Sequence, residues 1–242
     1  MRVQCAHVSS AFPSTRWTRI LAVQHDPAER AQALRELLGV YWRPLYAFGR
    51  MKGLGAVEAE DAVQAFVVHL LERDPLLSLD PTRGRFRSYL RTSFKNFLAN
   101  RRATERAAKR GGGKIHIPID TGLVERRLAA SDVDPEEMFM NEWARSAMAQ
   151  ALSMLDEEFH TEQRAGPWEL IRDYFNAKEL PPYSLVAAEY GMSTAQVKSL
   201  LHRARARFRA ILRQVISETL PDPLDEQAID DELGSVVEAL RQ

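Results

Sequence analysis

The chain has 242 residues, enough to bury a core as one domain or two. Its 33 Lys and Arg balance 33 Asp and Glu, which excludes the uniformly basic character of a protein that simply coats nucleic acid. A single cysteine, Cys5, excludes an internal disulfide or a cysteine-based zinc site, and no apolar run reaches the roughly 18 residues of a membrane span, so a cytoplasmic protein is expected.

Charge is segregated along the chain. Arg83 to Arg110 carries ten Lys or Arg against the single acid Glu105, while Ser217 to Gln242 carries eight acids against Arg241 alone. Two basic segments and an acidic tail predict two nucleic-acid surfaces and a regulatory or solvating end.

Residues 1–26 form an N-terminal extension without an apolar period. Asp26-Pro27 then supplies a cap and a proline at the first helical position, and Leu34, Leu37, Leu38 and Tyr41 give a helix its apolar face. Pro44 is expected to restart the chain into a separate segment with Leu45, Phe48 and Met51, ending near Gly53 and Gly55. A further helix has Glu58, Glu60 and Asp61 in its first turn, where acids suit the positive helix end. Its stripe is Ala59, Val63, Phe66, Val67, Leu70 and Leu71, and Asp74-Pro75 ends it.

Leu76 to Arg85 reads as a loop that delivers the chain to a basic helix over Phe86 to Arg110. There Leu90, Phe94, Phe97 and Leu98 are predicted to point inward, and Arg87, Arg91, Lys95, Asn96, Asn100, Arg101 and Arg102 outward. Phe86 and Tyr89 stand beside the arginines. Cations interleaved with aromatics suit unpaired nucleic acid, because phosphates need positive charge and exposed base faces need a stacking partner. Burial in the core is an equal alternative for either ring.

Gly111-Gly112-Gly113 breaks that helix and opens a flexible linker over 111–133, in which Ile115, Ile117 and Ile119 alternate. Asp134-Pro135 caps a helix bearing Met138, Trp143, Ala147, Leu152, Leu155 and Phe159. Gly166-Pro167 starts a short one with Trp168, Ile171 and Phe175. The expected fold is all-α: two small helical domains, 27–110 and 134–216, joined by the linker and followed by an acidic extension over 217–242.

The stretch from Tyr183 to Arg213 predicts a helix-turn-helix. Ser184 is expected to cap a short helix through Tyr190, Gly191 to make the turn, and Ser193 with Gln196 to form a capping box for the second helix, with Met192 stapling onto Val197. Val197, Leu201, Ala204, Phe208 and Ile211 form its inward stripe. Lys198, Ser199, His202 and Arg205 lie opposite, flanked by Arg203, Arg207, Arg209 and Arg213. No acid occurs from Gly191 to Ser217, and a one-sign helix of this length predicts a polyanionic partner, of which DNA is the simplest.

Catalytic signatures are absent from the sequence. The six histidines, His7, His25, His69, His116, His160 and His202, make no H-x-x-x-H pair, and no phosphate-binding loop or nucleophile elbow occurs. A non-enzymatic protein with no metal and no cofactor is expected.

In order and wording these segments resemble the bacterial RNA polymerase sigma factors of the extracytoplasmic-function type, over Pro27 to Ile216. AEDAVQAFVVHLLER, from Ala59 to Arg73, is similar to the family's region-two helix that docks on core RNA polymerase, which implies docking roles for Asp61 and Gln64. GRFRSYLRTSFKNFLANRR, from Gly84 to Arg102, is similar to the helix that opens and holds the minus-ten element. Arg85, Phe86, Arg87, Tyr89, Arg91, Lys95, Asn96, Asn100, Arg101 and Arg102 would then contact the melted strand.

GMSTAQVKSLLHRARARFR resembles the region-four helix that reads the minus-thirty-five element in duplex DNA. This implies contacts from Ser193, Thr194, Gln196, Lys198, Ser199, His202, Arg203, Arg205 and Arg207, with His202 reading bases and Arg205 gripping phosphate. The implied partners are core RNA polymerase, promoter DNA as duplex and melted strand, and an anti-sigma or other regulatory protein. Two features depart from the family: the long stretch from Phe159 to Pro182 and the extended ends.

A self-sufficient helix-turn-helix regulator of duplex operators is the alternative function. For the acidic tail two readings stand side by side. Asp222, Asp225, Glu226, Asp230, Asp231 and Glu232 could fold onto the basic reader, or Ile229, Leu233, Val236 and Leu240 could make an amphipathic helix packed on the domain.

Overall fold

The computed structural model describes residues 27–72, 85–105, 121–129, 133–161, 165–177, 179–220, 222 and 224–241. Among these every regular element is a helix, in agreement with the all-α expectation. The elements are α1 (Pro27–Met51), α2 (Ala56–Glu72), α3 (Phe86–Glu105), α4 (Gly122–Ala129), α5 (Pro135–Thr161), α6 (Ala165–Asn176), α7 (Tyr183–Glu189), α8 (Thr194–Ser217) and α9 (Glu226–Arg241). None is long and apolar enough to cross a membrane.

The organising element is α5, whose 27 residues give a rod of about 40 Å. Its start is capped by Asp134, whose carboxylate accepts the Glu137 N–H at 2.8 Å. Apolar side chains cover more than one side of it: Met138, Phe139, Trp143, Ala144, Ala147, Ala151 and Leu155 are all buried. Helices α1, α6, α8 and α9 pack around these faces, the α1 contact being the most extensive among the described residues. Leu152, expected inside, is 39 % exposed.

Helix α1 runs straight through Pro44, where a restart was expected. Proline removes one backbone donor and crowds the carbonyl four residues back. Here Val40, Tyr41, Trp42, Leu45, Tyr46, Ala47 and Phe48 are each 6 % exposed or less, and burial on this scale outweighs the local defect. The helix ends at Gly53, whose φ of 89° lies in the left-handed region, with its N–H bonded to the Arg50 carbonyl at 2.9 Å.

Helix α2 begins with the Gly55 N–H bonded to the Glu58 carboxylate at 2.9 Å. Its stripe of Ala59, Ala62, Val63, Phe66, Val67 and Leu70 is buried, close to the pattern read from the sequence. The Phe66 ring meets Phe94 and Phe97 of α3 at centroid distances of 5.1 and 5.5 Å.

Part of the expected linker is helical: α4 occupies Gly122–Ala129. Eight residues are too few for a period to be read, and so short a helix is stabilised by tertiary contacts. Val124 is buried, Glu125 accepts Arg50 Nε and Nη2 at 2.7 and 2.8 Å and also pairs with the Tyr46 hydroxyl, and Arg127 Nε reaches Glu142 at 2.5 Å. Buried side chains on the two sides of residues 111–133 join in one cluster, running from Val40 to Ala239.

Several expectations fall outside the described residues. These are the N-terminal extension, the loop before Arg85, the Gly111 break and the isoleucine alternation, together with the side chains of Leu34, Leu37, Leu38, Leu71 and Arg102.

Candidate nucleic-acid interface

Two helices, α7 and α8, meet at Gly191 in the stretch read as a helix-turn-helix, and the start of the first differs from expectation. Helix α7 takes Pro182 as its N-cap, with no side-chain cap bond, so Ser184 lies inside the helix and does not cap it. At the other end the Met192 N–H bonds to the Ala187 carbonyl at 2.9 Å, the six-to-one bond of a Schellman turn. Gly191, at φ 61°, supplies the left-handed residue that this turn requires.

Helix α8 then starts from a complete capping box. The Gln196 N–H donates to Ser193 Oγ at 3.2 Å, and the Ser193 N–H donates to Gln196 Oε1 at 2.8 Å. Val197, Leu201, Ala204 and Ile211 are buried as predicted, with Leu200, Leu212, Val215 and Ile216 widening the stripe; Val186 and Ala187 of α7 are also buried. The end of α7 is tied to α6 by the Tyr190 hydroxyl, which donates to Asp173 at 2.9 Å. Burial, reinforced by that carboxylate, pushes the Tyr190 hydroxyl up to about 12.

On the outward face of α8, Thr194, Gln196, Lys198, Ser199, His202 and Arg203 are exposed. Lys198, Ser199, His202 and Arg203 recur at helical spacing and share one side. From Thr194 to Arg203 the axis rises about 14 Å, close to the roughly 12 Å width of a DNA major groove. This set supplies donors for phosphates and base acceptors, plus two side chains, Ser199 and His202, able to accept as well.

Two arginines of the predicted set are engaged elsewhere. Arg205 is half-buried, its guanidinium 5.6 Å from the Tyr174 ring centroid and 5.7 Å from that of Phe175, with the Tyr183 hydroxyl bonded to it. Tyr174 and Tyr183 stack at 5.9 Å, and the bond to Arg205 holds the Tyr183 hydroxyl below its ordinary range. Tyr174 is the buried aromatic of α6, and Phe175, expected inside, is 39 % exposed. Arg207 bonds to Glu158 of α5 through Nε at 2.7 Å and again through Nη2, which holds that carboxyl below the usual glutamate value.

The second basic helix divides between surface and core. Lys95, Asn96 and Asn100 are exposed, and Arg85, Tyr89, Arg91 and Arg101 are half-exposed. Phe86 is instead 2 % exposed, edge-on to Tyr41 at 5.4 Å, so in this arrangement it packs in the core and offers no face to a base. Arg87, read as outward, points inward. Its guanidinium lies 5.0 Å from the Trp143 ring and donates to Glu232 of α9 through Nε at 3.1 Å and Nη2 at 2.6 Å. Arg85 Nε is 3.2 Å from the same carboxylate. Burial, with the Glu232 charge adding to it, holds the nearby Tyr41 hydroxyl far above its ordinary value.

Asp61 and Gln64 are half-exposed on α2, three residues apart and opposite its buried stripe. Among the described residues no group of His, Cys, Asp and Glu could hold a metal ion.

Sequence reasoning placed Glu232 among the tail acids without its pairing with Arg87, and it missed Glu158 and Tyr174. A signal existed for the first: Glu232 stands at stripe spacing between Ile229 and Val236, and an acid on an apolar stripe implies a buried cation opposite it. The tail forms an amphipathic helix packed on the core, and two of the six acids named for it meet the end of α8. It buries Ile229, Val236 and Ala239, and its Glu226 and Asp230 pair with Arg213 of α8. Comparison with protein-family models, curated proteins and solved structures gives no match.

Proposed function

We propose that the chain is a bacterial sigma factor of the extracytoplasmic-function type, a non-enzymatic cytoplasmic subunit that recruits core RNA polymerase to promoters and begins transcription. The observation that supports this reading is the pair of helices α7 and α8 joined at the left-handed Gly191, with the acid-free outward face of Lys198, Ser199, His202 and Arg203. A capped helix presenting that face over about one groove width suits duplex DNA, here the minus-thirty-five element.

In this reading residues 134–216 act as the region-four unit and 27–110 as the region-two unit, with 111–133 between them. Asp61 and Gln64 dock on polymerase, and α3 engages the minus-ten strand through Lys95, Asn96, Asn100 and its arginines. One observation favours the alternative, a regulator that acts on duplex operators without polymerase: Phe86 and Arg87, central to strand capture, are buried.

Run-off transcription with purified core polymerase on a promoter library separates the two. A sigma factor yields transcripts that require the chain. Sequence-specific shifts of duplex DNA with no polymerase-dependent transcript would establish the alternative and overturn the proposal.

A further inference from the structure

Helix α9 touches both basic helices, and at each an acid of α9 pairs with an arginine. Near its start Glu226 and Asp230 pair with Arg213 of α8. Two residues further on and around the far side of the helix, Glu232 is 1 % exposed and holds Arg87 by two hydrogen bonds, with Arg85 beside it. Between these points Ile229, Val236 and Ala239 are buried where α9 lies on α5 and α8.

A helix that only solubilised the C-terminus would have no use for a buried carboxylate, because removing that charge from water is costly without a cation to meet it. Glu232 and Arg87 meet across 145 residues of sequence, and neither charge can stay buried without the other. The cations so engaged stand at the start of α3, among the groups that a DNA strand would need.

We propose that α9 is an autoinhibitory clasp. Its Glu232 carboxylate occupies Arg85 and Arg87 as a nucleic-acid phosphate would, and its hold on Arg213 anchors the same helix to the duplex reader. While α9 is seated, the first turn of α3 is closed to DNA; when α9 lifts away, Arg85 and Arg87 become available to phosphate. The inference rests on the proposal that α3 binds a melted strand.

Three full-length variants test it: Glu232→Gln, which removes the buried charge at constant size; Arg213→Ala, which loosens the exposed end; and Glu238→Gln, an equal charge change on the exposed side of α9. Affinity for a fluorescent single-stranded oligonucleotide is measured by anisotropy at low salt, with circular dichroism as the fold check. A clasp predicts at least about fivefold tighter binding for Glu232→Gln and Arg213→Ala, the lower end of coupling between linked sites, and no change for Glu238→Gln. Equal tightening by all three would mean diffuse repulsion between the tail and DNA, and would overturn the clasp.

If Glu232→Gln loses helix content, Arg213→Ala decides, since its exposed partners suffer no burial penalty; a folded Arg213→Ala with unchanged affinity overturns the proposal. Run-off transcription on the same proteins separates the two claims. Tighter strand binding with no transcript from any variant would retain the clasp and reject the sigma reading. Transcription by the unaltered chain at the rate of both loosened variants, with unchanged strand affinity, would do the reverse.

Discussion

At the residue scale, the groups that look alike in the basic segments divide according to what holds them. His202 is exposed on α8, so His202→Ala should leave thermal stability within about 0.5 kcal/mol of the unaltered chain while changing which DNA sequences compete best. Arg205 lies against Tyr174 and Phe175, and Arg205→Ala should cost about 1–2 kcal/mol through the lost ring contacts, read as a lower Tm. Arg205, expected to grip phosphate, also fastens α8 onto α6 through these rings. Ser193→Ala removes the oxygen that receives the Gln196 N–H and should cost about 1 kcal/mol in denaturant unfolding. The capping box was legible because its partners are three residues apart. The Arg87 pairing was not, because its partner is 145 residues away, although spacings of three, four and four to Leu90, Phe94 and Leu98 put Arg87 on the inward stripe.

At the element scale, legibility followed length and periodicity. Helices α2, α5 and α8 were readable because an apolar stripe repeats over four or more turns. Helix α4 was not, since two turns carry no period and its stability depends on side chains from α1 and α5. Pro44 misled for the same reason, a local rule outweighed by burial on all sides. The dependence of α4 on Arg50 carries a pH signature. The Arg50 guanidinium, bonded to Glu125, holds that carboxyl below its ordinary 4.5. A depressed folded value means the pairing contributes fully above the unfolded value and is lost as pH falls through the folded one. The chain should therefore lose stability as pH drops below about 4.5, and Glu125→Gln should flatten that loss, as measured by urea midpoints across pH 3 to 7.

At the scale of the whole molecule, a chain read as two domains on a linker has one connected core. Trp143 of α5 lies beneath Arg87 of α3, α1 lies along α5, and α9 joins both basic helices. Promoter recognition by two separate readers would need the halves to part, and the surfaces that part would expose Tyr41, Phe139 and Trp143, all buried here. Burial of this kind couples the halves energetically, so the free chain should unfold as one unit. Far-ultraviolet circular dichroism, which reports all helices, and tryptophan emission, to which the buried Trp42, Trp143 and Trp168 contribute from α1, α5 and α6, should give coincident urea transitions. Two resolved transitions would mean that α1 and α5 separate at little cost, and that the connected core is only loosely held. Coincidence, together with tighter strand binding when Arg213 is removed, would instead mean that the halves part only when α9 is released, so that DNA or polymerase binding must supply the opening energy.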